Sequence, residues 1–87
     1  MNKQKTSIVD VRTPQEFVNG NVAGSINIPL QEMPQRLNEI RSLQQPILLC
    51  CASGNRSGQA TALLLSCGIE CENGGSWFDI NHNFQNN

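Results

Sequence analysis

Leu-Leu-Cys-Cys-Ala-Ser-Gly-Asn-Arg-Ser, residues 48–57, ends one kind of structure and begins another. The stretch closes an apolar run, Ile47 to Cys51, that contains no polar side chain. A strand that is apolar on both faces is expected in a parallel sheet covered on both sides. From Ser57 onward the pattern changes. Ala60, Leu63, Leu64 and Cys67 recur at helical spacing, and Gly68 suits the end of that helix. A buried strand therefore passes through a short glycine-containing segment, residues 51–56, straight into a helix N-terminus. In open α/β sheets, ligands bind at the carboxyl ends of strands.

Working outward, Ser7 to Val11 (Ser-Ile-Val-Asp-Val) reads as a short strand. Thr13-Pro14-Gln15-Glu16 reads as a helix start, with Thr13 as cap, Pro14 in the first helical position and Glu16 closing a capping box. Asn19-Gly20 ends that helix. Ser25 to Ile28 is a second short strand stopped by Pro29. Met33, Leu37 and Ile40 place an amphipathic helix over residues 31–43, with Pro34 in its first turn. Ile69 to Glu72 reads as the last strand, Gly74-Gly75 as a turn, and Trp77-Phe78 as an apolar lid. Strands alternating with helices predict an α/β domain with a small, mostly parallel sheet. One domain is expected over residues 1–87, with loose termini at 1–6 and 80–87.

Composition narrows the function. The formal net charge is −1 and the six basic residues are scattered, so there is no basic stripe for nucleic acid. Few aromatics are present to stack on bases. The opening Met-Asn-Lys-Gln-Lys-Thr-Ser lacks the apolar middle of a signal peptide, and no apolar run is long enough to span a bilayer. The expected location is the cytoplasm, where the four cysteines are free thiols.

The chemistry concentrates at residues 51–57. A loop curling at a helix N-terminus aims several N–H groups at one point and adds the partial positive charge of the helix. A thiol placed there is stabilised as thiolate. Gly54 permits the tight turn, Ala52 and Ser53 are small enough to leave it open, and Arg56 brings a full charge to the rim. Of the two adjacent cysteines, Cys50 belongs to the packed run, where it serves as a small hydrophobe. Cys51 begins the loop and takes the reactive role.

Three stretches now carry a resemblance. Ile-Val-Asp-Val-Arg-Thr-Pro-Gln-Glu-Phe (8–17), Gly-Asn-Val-Ala-Gly-Ser-Ile-Asn-Ile-Pro (20–29) and Cys-Ala-Ser-Gly-Asn-Arg-Ser (51–57) occur in order. The chain resembles a rhodanese domain from about residue 7 to 78, and within that family the small single-domain sulfurtransferases of the phage-shock type. The resemblance implies a rhodanese-like α/β fold and a sulfurtransferase without a cofactor. Sulfur from thiosulfate or another donor would pass to cyanide, a thiol or a protein acceptor through a persulfide on Cys51. The backbone N–H groups of Ala52, Ser53, Gly54, Asn55, Arg56 and Ser57 would cradle the sulfur anion. Arg56 would close the loop and help bind thiosulfate. Asp10 and Arg12 would stand behind the site, with Arg12 and Glu16 in structural ion pairs. The chain departs from the family pattern at Asn21, Ser25 and Cys50, and at Ala52, where a larger or charged residue is common.

Other readings of the same residues remain open. A cysteine-dependent phosphatase or arsenate reductase also uses cysteine and arginine around an anion loop. Those loops carry one residue more than the four that separate Cys51 from Arg56, and the smaller ring suits a sulfur atom. A non-catalytic binding module would not need Cys51, Gly54 and Arg56 together. A persulfide carrier in a protein relay uses the same residues as a free-standing enzyme. Cys67 lies on an apolar helix face and suits the core. Cys71 is open to packing or to a resolving role. The cysteines and His82 lack paired Cys-x-x-Cys spacing, so no metal is expected.

Overall fold

The Ile47–Cys51 run takes the centre of the sheet because it alone is apolar on both faces. The computed structural model describes the backbone of residues 6–85 and the side chains of residues 6–83. Along the chain come β1 (Ser7–Asp10), α1 (Pro14–Val18) and β2 (Ile26–Asn27). A 3-10 segment (Leu30–Arg36) leads into α2 (Leu37–Arg41). Then follow β3 (Ile47–Cys51), α3 (Asn55–Ser66), β4 (Cys71–Ser76) and α4 (Trp77–Gln85). The strands form one parallel sheet in the order β2-β1-β3-β4. This is the α/β architecture expected from the alternating pattern.

Alternation along β3 divides the core between the two faces of the sheet. Ile47, Leu49 and Cys51 pack with Val9, Met33, Ile40, Ala60 and Leu64, the face covered by α2 and α3. Leu48 and Cys50 pack with Ile8, Val22, Trp77 and Ile80 on the other face. The two neighbouring cysteines therefore lie on opposite sides of the sheet, each as a free thiol.

The capping box at α1 forms as the sequence dictates. Glu16 N donates to Thr13 Oγ1 and Thr13 N donates to Glu16 Oε1. Elsewhere the structure corrects the sequence. The helix expected over residues 31–43 begins as 3-10 turns. Pro34 has no N–H to give the carbonyl one α-turn earlier, so regular α-helix starts only after it. Helix α3 starts at Asn55, two residues before the expected Ser57.

The last strand is displaced as well. Ile69 belongs to the cap of α3: its N–H reaches Leu64 O at 3.0 Å while Gly68 N reaches Leu65 O at 3.0 Å. Gly68, with φ of 78°, supplies the left-handed residue this cap requires. β4 then runs on through Gly74-Gly75, which form no turn. Leu49 pairs with Asn73 but Cys50 pairs with Gly75, so Gly74 is the extra residue of a β-bulge.

The bulge is closely packed. A Cβ on Gly74 would lie 2.8 Å from Ile80 Cδ1 and 2.9 Å from Leu48 Cδ1. Gly74→Ala is expected to destabilise the fold by about 1–3 kcal/mol, the usual effect of overpacking a filled core. A fall in the urea midpoint at unchanged m-value measures it. No fall would mean that Leu48 and Ile80 yield freely.

The expected loose end at 80–87 is also corrected. Trp77–Gln85 is helical, and Ile80 is only 6% exposed against Val22 and Cys50. The helix forms because Ser76 Oγ accepts the N–H groups of Phe78 and Asp79 at its start and Ile80 faces the sheet. Residues 1–5 and 86–87 lie outside the described residues. Thr6 is exposed and outside regular structure.

Candidate active site

β3 delivers Cys51 at the carboxyl end of the central strand, and the chain turns at Gly54 into α3. Gly54 has φ of 101° and serves as the N-cap of α3. A side chain there would be strained by the backbone, and its Cβ would lie 3.3 Å from Gly75 Cα. The turn bends the loop back over the thiol. Gly54 N donates to Cys51 Sγ at 3.0 Å and Ser57 N at 3.4 Å, and Ser57 Oγ stands 3.4 Å from the same sulfur. Ala52, Ser53 and Asn55 form the exposed rim, while Cys51 is 1% exposed beneath them.

The two thiols are driven in opposite directions. Burial pushes Cys50 up to about 12, and the nearby Asp10 carboxylate adds to the rise. Burial also pushes Cys51 up. The Ser57 hydroxyl and the backbone N–H groups of Ser57, Gly54 and Ser53 outweigh it and bring the thiol down to about 7. Cys51 is thus substantially ionised near neutrality, whereas Cys50 stays protonated. Cys71, raised by burial, places its thiol 3.7 Å from Thr61 O, and Cys67 packs partly buried against the core.

Behind the loop lie Asp10 and Arg12. Asp10 is fully buried and Arg12 is 4% exposed. The guanidinium grips both carboxylate oxygens, Nε to Oδ1 at 2.9 Å and Nη2 to Oδ2 at 2.7 Å. Arg12 also donates to Gly20 O at 2.7 Å and to Glu16 O at 3.3 Å, and it stacks 4.7 Å from the Trp77 ring centroid. Trp77 is therefore part of this buried support, and Phe78 stands exposed beside it. Arg12 and Glu16 are each in an ion pair, but with different partners.

Glu16 pairs with Arg56. Nη1 meets Oε1 at 2.8 Å and Nη2 meets Oε2 at 3.1 Å, a two-point contact across the loop. The Arg56 charge at the rim is thus already engaged by a carboxylate. The Arg56 hydrogen bonds, with help from the Thr13 N–H, hold the Glu16 carboxyl well below its ordinary range, at about 2.

A group with a depressed folded pKa stabilises the fold above its unfolded value and stops doing so as pH falls through the folded one. The wild type should lose this contribution between about pH 4.5 and about pH 2. Glu16→Gln should lack that slope. With the Glu16 side chain 38% exposed, the difference should stay within about 1 kcal/mol. Unfolding midpoints of the two proteins across the window measure it. Parallel curves would mean that the ion pair adds nothing to stability.

Residues 1–79 match the family described as the rhodanese-like domain. The chain belongs to the rhodanese-like domain family. Among rhodanese-related proteins it is 35% identical over 74 residues to the thiosulfate sulfurtransferase PspE of Escherichia coli, covering 83% of this chain and 71% of PspE. It is 44% identical over 61 residues to the protein YqhL of Bacillus subtilis, covering 70% of this chain. The chain spans only 48% of the length of YqhL. A crystal structure of a rhodanese-related protein from Thermoplasma volcanium superposes with a TM-score of 0.79 at 28% identity, over 92% of this chain and 79% of that one.

One residue that braces this rhodanese loop from outside escapes the sequence. Asn73 reaches in from β4, its Nδ2 donating to Gly54 O at 3.0 Å and its Oδ1 accepting from Ser57 Oγ at 2.7 Å. Its signal was present, because Asn73 shares the period of Cys71 and pairs with Leu49, on the α3 face. A strand ending at Glu72 hid it. No helix among the described residues is long and apolar enough to cross a membrane. No three His, Cys, Asp or Glu side chains gather into a metal-holding group among them.

Proposed function

We propose that the protein is a sulfurtransferase that carries sulfane sulfur as a persulfide on Cys51. The observation that supports this most is the placement of Cys51 Sγ under N–H groups from Gly54 and Ser57, with its thiol near neutrality. The thiolate attacks the outer sulfur of thiosulfate. A new S–S bond forms at Sγ, the bond to the inner sulfur breaks, and sulfite leaves with the electron pair. An acceptor thiolate or cyanide then attacks the outer sulfur of the persulfide, and Cys51 leaves as thiolate. The loop N–H groups stabilise negative charge at the start and at the end of each step. Ala52, Ser53, Asn55 and Arg56 form the rim past which donor and acceptor enter. The name of PspE as a thiosulfate sulfurtransferase agrees with this chemistry.

A second reading is favoured by the ion pairs. Both arginines near the site are engaged, Arg12 by Asp10 and Arg56 by Glu16. Among the described residues near the loop, little positive side-chain charge is left to draw in a dianion such as thiosulfate, which suits a donor that arrives as a protein persulfide. The two readings share Cys51 and differ in the donor. Intact-protein mass spectrometry after incubation with thiosulfate, on wild type and Cys51→Ser, tests the proposal. A gain of one sulfur atom on wild type only, removable by cyanide, is the expected result. A gain only with a polysulfide or protein donor would favour the relay. No gain with any donor would overturn the persulfide.

A further inference from the structure

The orientation of the Asn73 amide is fixed by its partners. Gly54 O can only accept and the Gly75 N–H can only donate. Asn73 therefore points Nδ2 at Gly54 O, at 3.0 Å, and Oδ1 at Gly75 N, at 3.0 Å. Oδ1 also faces the Ser57 hydroxyl at 2.7 Å, and an amide oxygen has no proton to give. Ser57 must donate to Asn73. A hydroxyl has one proton, so the 3.4 Å contact between Ser57 Oγ and Cys51 Sγ then has the thiol as donor.

Loss of the thiol proton reverses this. A thiolate only accepts, so the Ser57 hydroxyl must turn toward Sγ and leave Oδ1 to the Gly75 N–H alone. We propose that Asn73 is a positioning residue that holds the Ser57 proton while Cys51 is a thiol and releases it when Cys51 ionises. The proton lost from Sγ passes to solvent, and the Ser57 proton stays on its oxygen and changes partner. Once Cys51 carries a second sulfur, Sγ is no longer the anion. The hydroxyl can then return to Asn73 while the loop N–H groups serve the outer sulfur. The β4 bulge matters here, because the Gly75 N–H turns back onto Oδ1 and keeps the amide aimed at the loop.

Charged and titratable groups near this end of the sheet lie on several elements. Asp10 ends β1 and Arg12 follows it, Glu16 lies on α1, Cys50 on β3 and Arg56 on α3. On the far side, Glu72 of β4 and Asp79 of α4 are exposed. Asp10–Arg12 and Glu16–Arg56 are paired with each other. The side chain that accepts the Ser57 proton, Asn73, is neutral and solvent-exposed.

The test is the pH dependence of iodoacetamide alkylation at Cys51, read by peptide mass spectrometry so that the other cysteines do not contribute. Asn73→Ala removes the Ser57 hydrogen bond from the thiol state only, while the Gly75 N–H loses its acceptor in both states and so cancels from the difference. The midpoint should fall by about half to one pH unit. Gly54 O keeps its bond from Gly58 N at 3.0 Å, so the helix start persists. Asn73→Asp should raise the midpoint, since a carboxylate holds the Ser57 proton more strongly and adds like charge. In a Ser57→Ala background, Asn73→Ala should no longer shift it. A merely structural role would not give opposite signs at one position. A rise or no change in Asn73→Ala, no rise in Asn73→Asp, or an equal shift without Ser57 would each overturn the proposal. The proposal rests on Cys51 as the reacting thiol, but its readout needs no sulfur donor. Failure of sulfur transfer and failure of this switch are thereby distinguishable.

Discussion

Cys51→Ser is expected to abolish persulfide loading and to reduce turnover with any sulfur donor by at least about a thousandfold. The substitution exchanges one chalcogen atom at a position 1% exposed and leaves the loop N–H groups in place. What it removes is the anion. A serine hydroxyl remains protonated where the Cys51 thiol ionises near pH 7, and alkoxide is not available to attack the donor sulfur. Loading of the wild type should rise with pH through about 7 and then level, following the thiolate fraction. Cys50 does not take over. It faces the other side of the sheet, and burial holds it at about 12. Mass spectrometry and steady-state assays on the two proteins measure the difference. Retained turnover in Cys51→Ser would assign the chemistry elsewhere, and loss of its folded spectrum would make Cys51 structural.

Asp10→Ala is expected to be the most destabilising single change at the site, by about 3–5 kcal/mol. The carboxylate is fully buried, and the Arg12 guanidinium that holds it is 4% exposed. Removing Asp10 strands a buried cation and also releases the Arg12 backbone N–H, which donates to Oδ1 at 3.0 Å. Arg12 in turn ties Gly20 and the end of α1 to the sheet and lies on Trp77. The loss is thus transmitted to α1 and to the start of α4. Against a domain stability of about 5–15 kcal/mol, much of the protein would unfold on mild heating. Thermal and urea unfolding check this. A change below about 1 kcal/mol would mean that Arg12 finds water or another acceptor when Asp10 is gone.

Much of the local structure was legible in the chain. The apolar run from Ile47 to Cys51 announced a two-faced strand, and its break at Ala52-Ser53-Gly54 announced the loop. Thr13 and Glu16 announced the start of α1. These signals lie within a few residues of the structure they specify, and strand alternation alone separated Cys50 from Cys51. Pro34 was visible too, but its effect was misplaced. The missing N–H converts the preceding turn into 3-10 geometry instead of merely sitting in a first turn.

The misreadings of β4 and of the tail have a further cause, which is distance along the chain. Glu72 looked like the end of β4 because Gly74-Gly75 resembles a turn. Only pairing with Leu49 and Cys50 reveals a bulge there. The tail beyond Ile80 looked polar and free, yet one buried isoleucine and a Ser76 cap are enough to dock a helix on the sheet. The strand-loop-helix unit and the family were legible in the chain, and Cys51 was its candidate nucleophile. Only the closed sheet places the long-range partners that brace the loop. Arg56 finds Glu16 forty residues away, and Asn73 finds Ser57 sixteen residues away. Hydrogen bonds and ion pairs of this kind depend on strand order and register. Local periodicity constrains neither, because partners meet only when the sheet has closed.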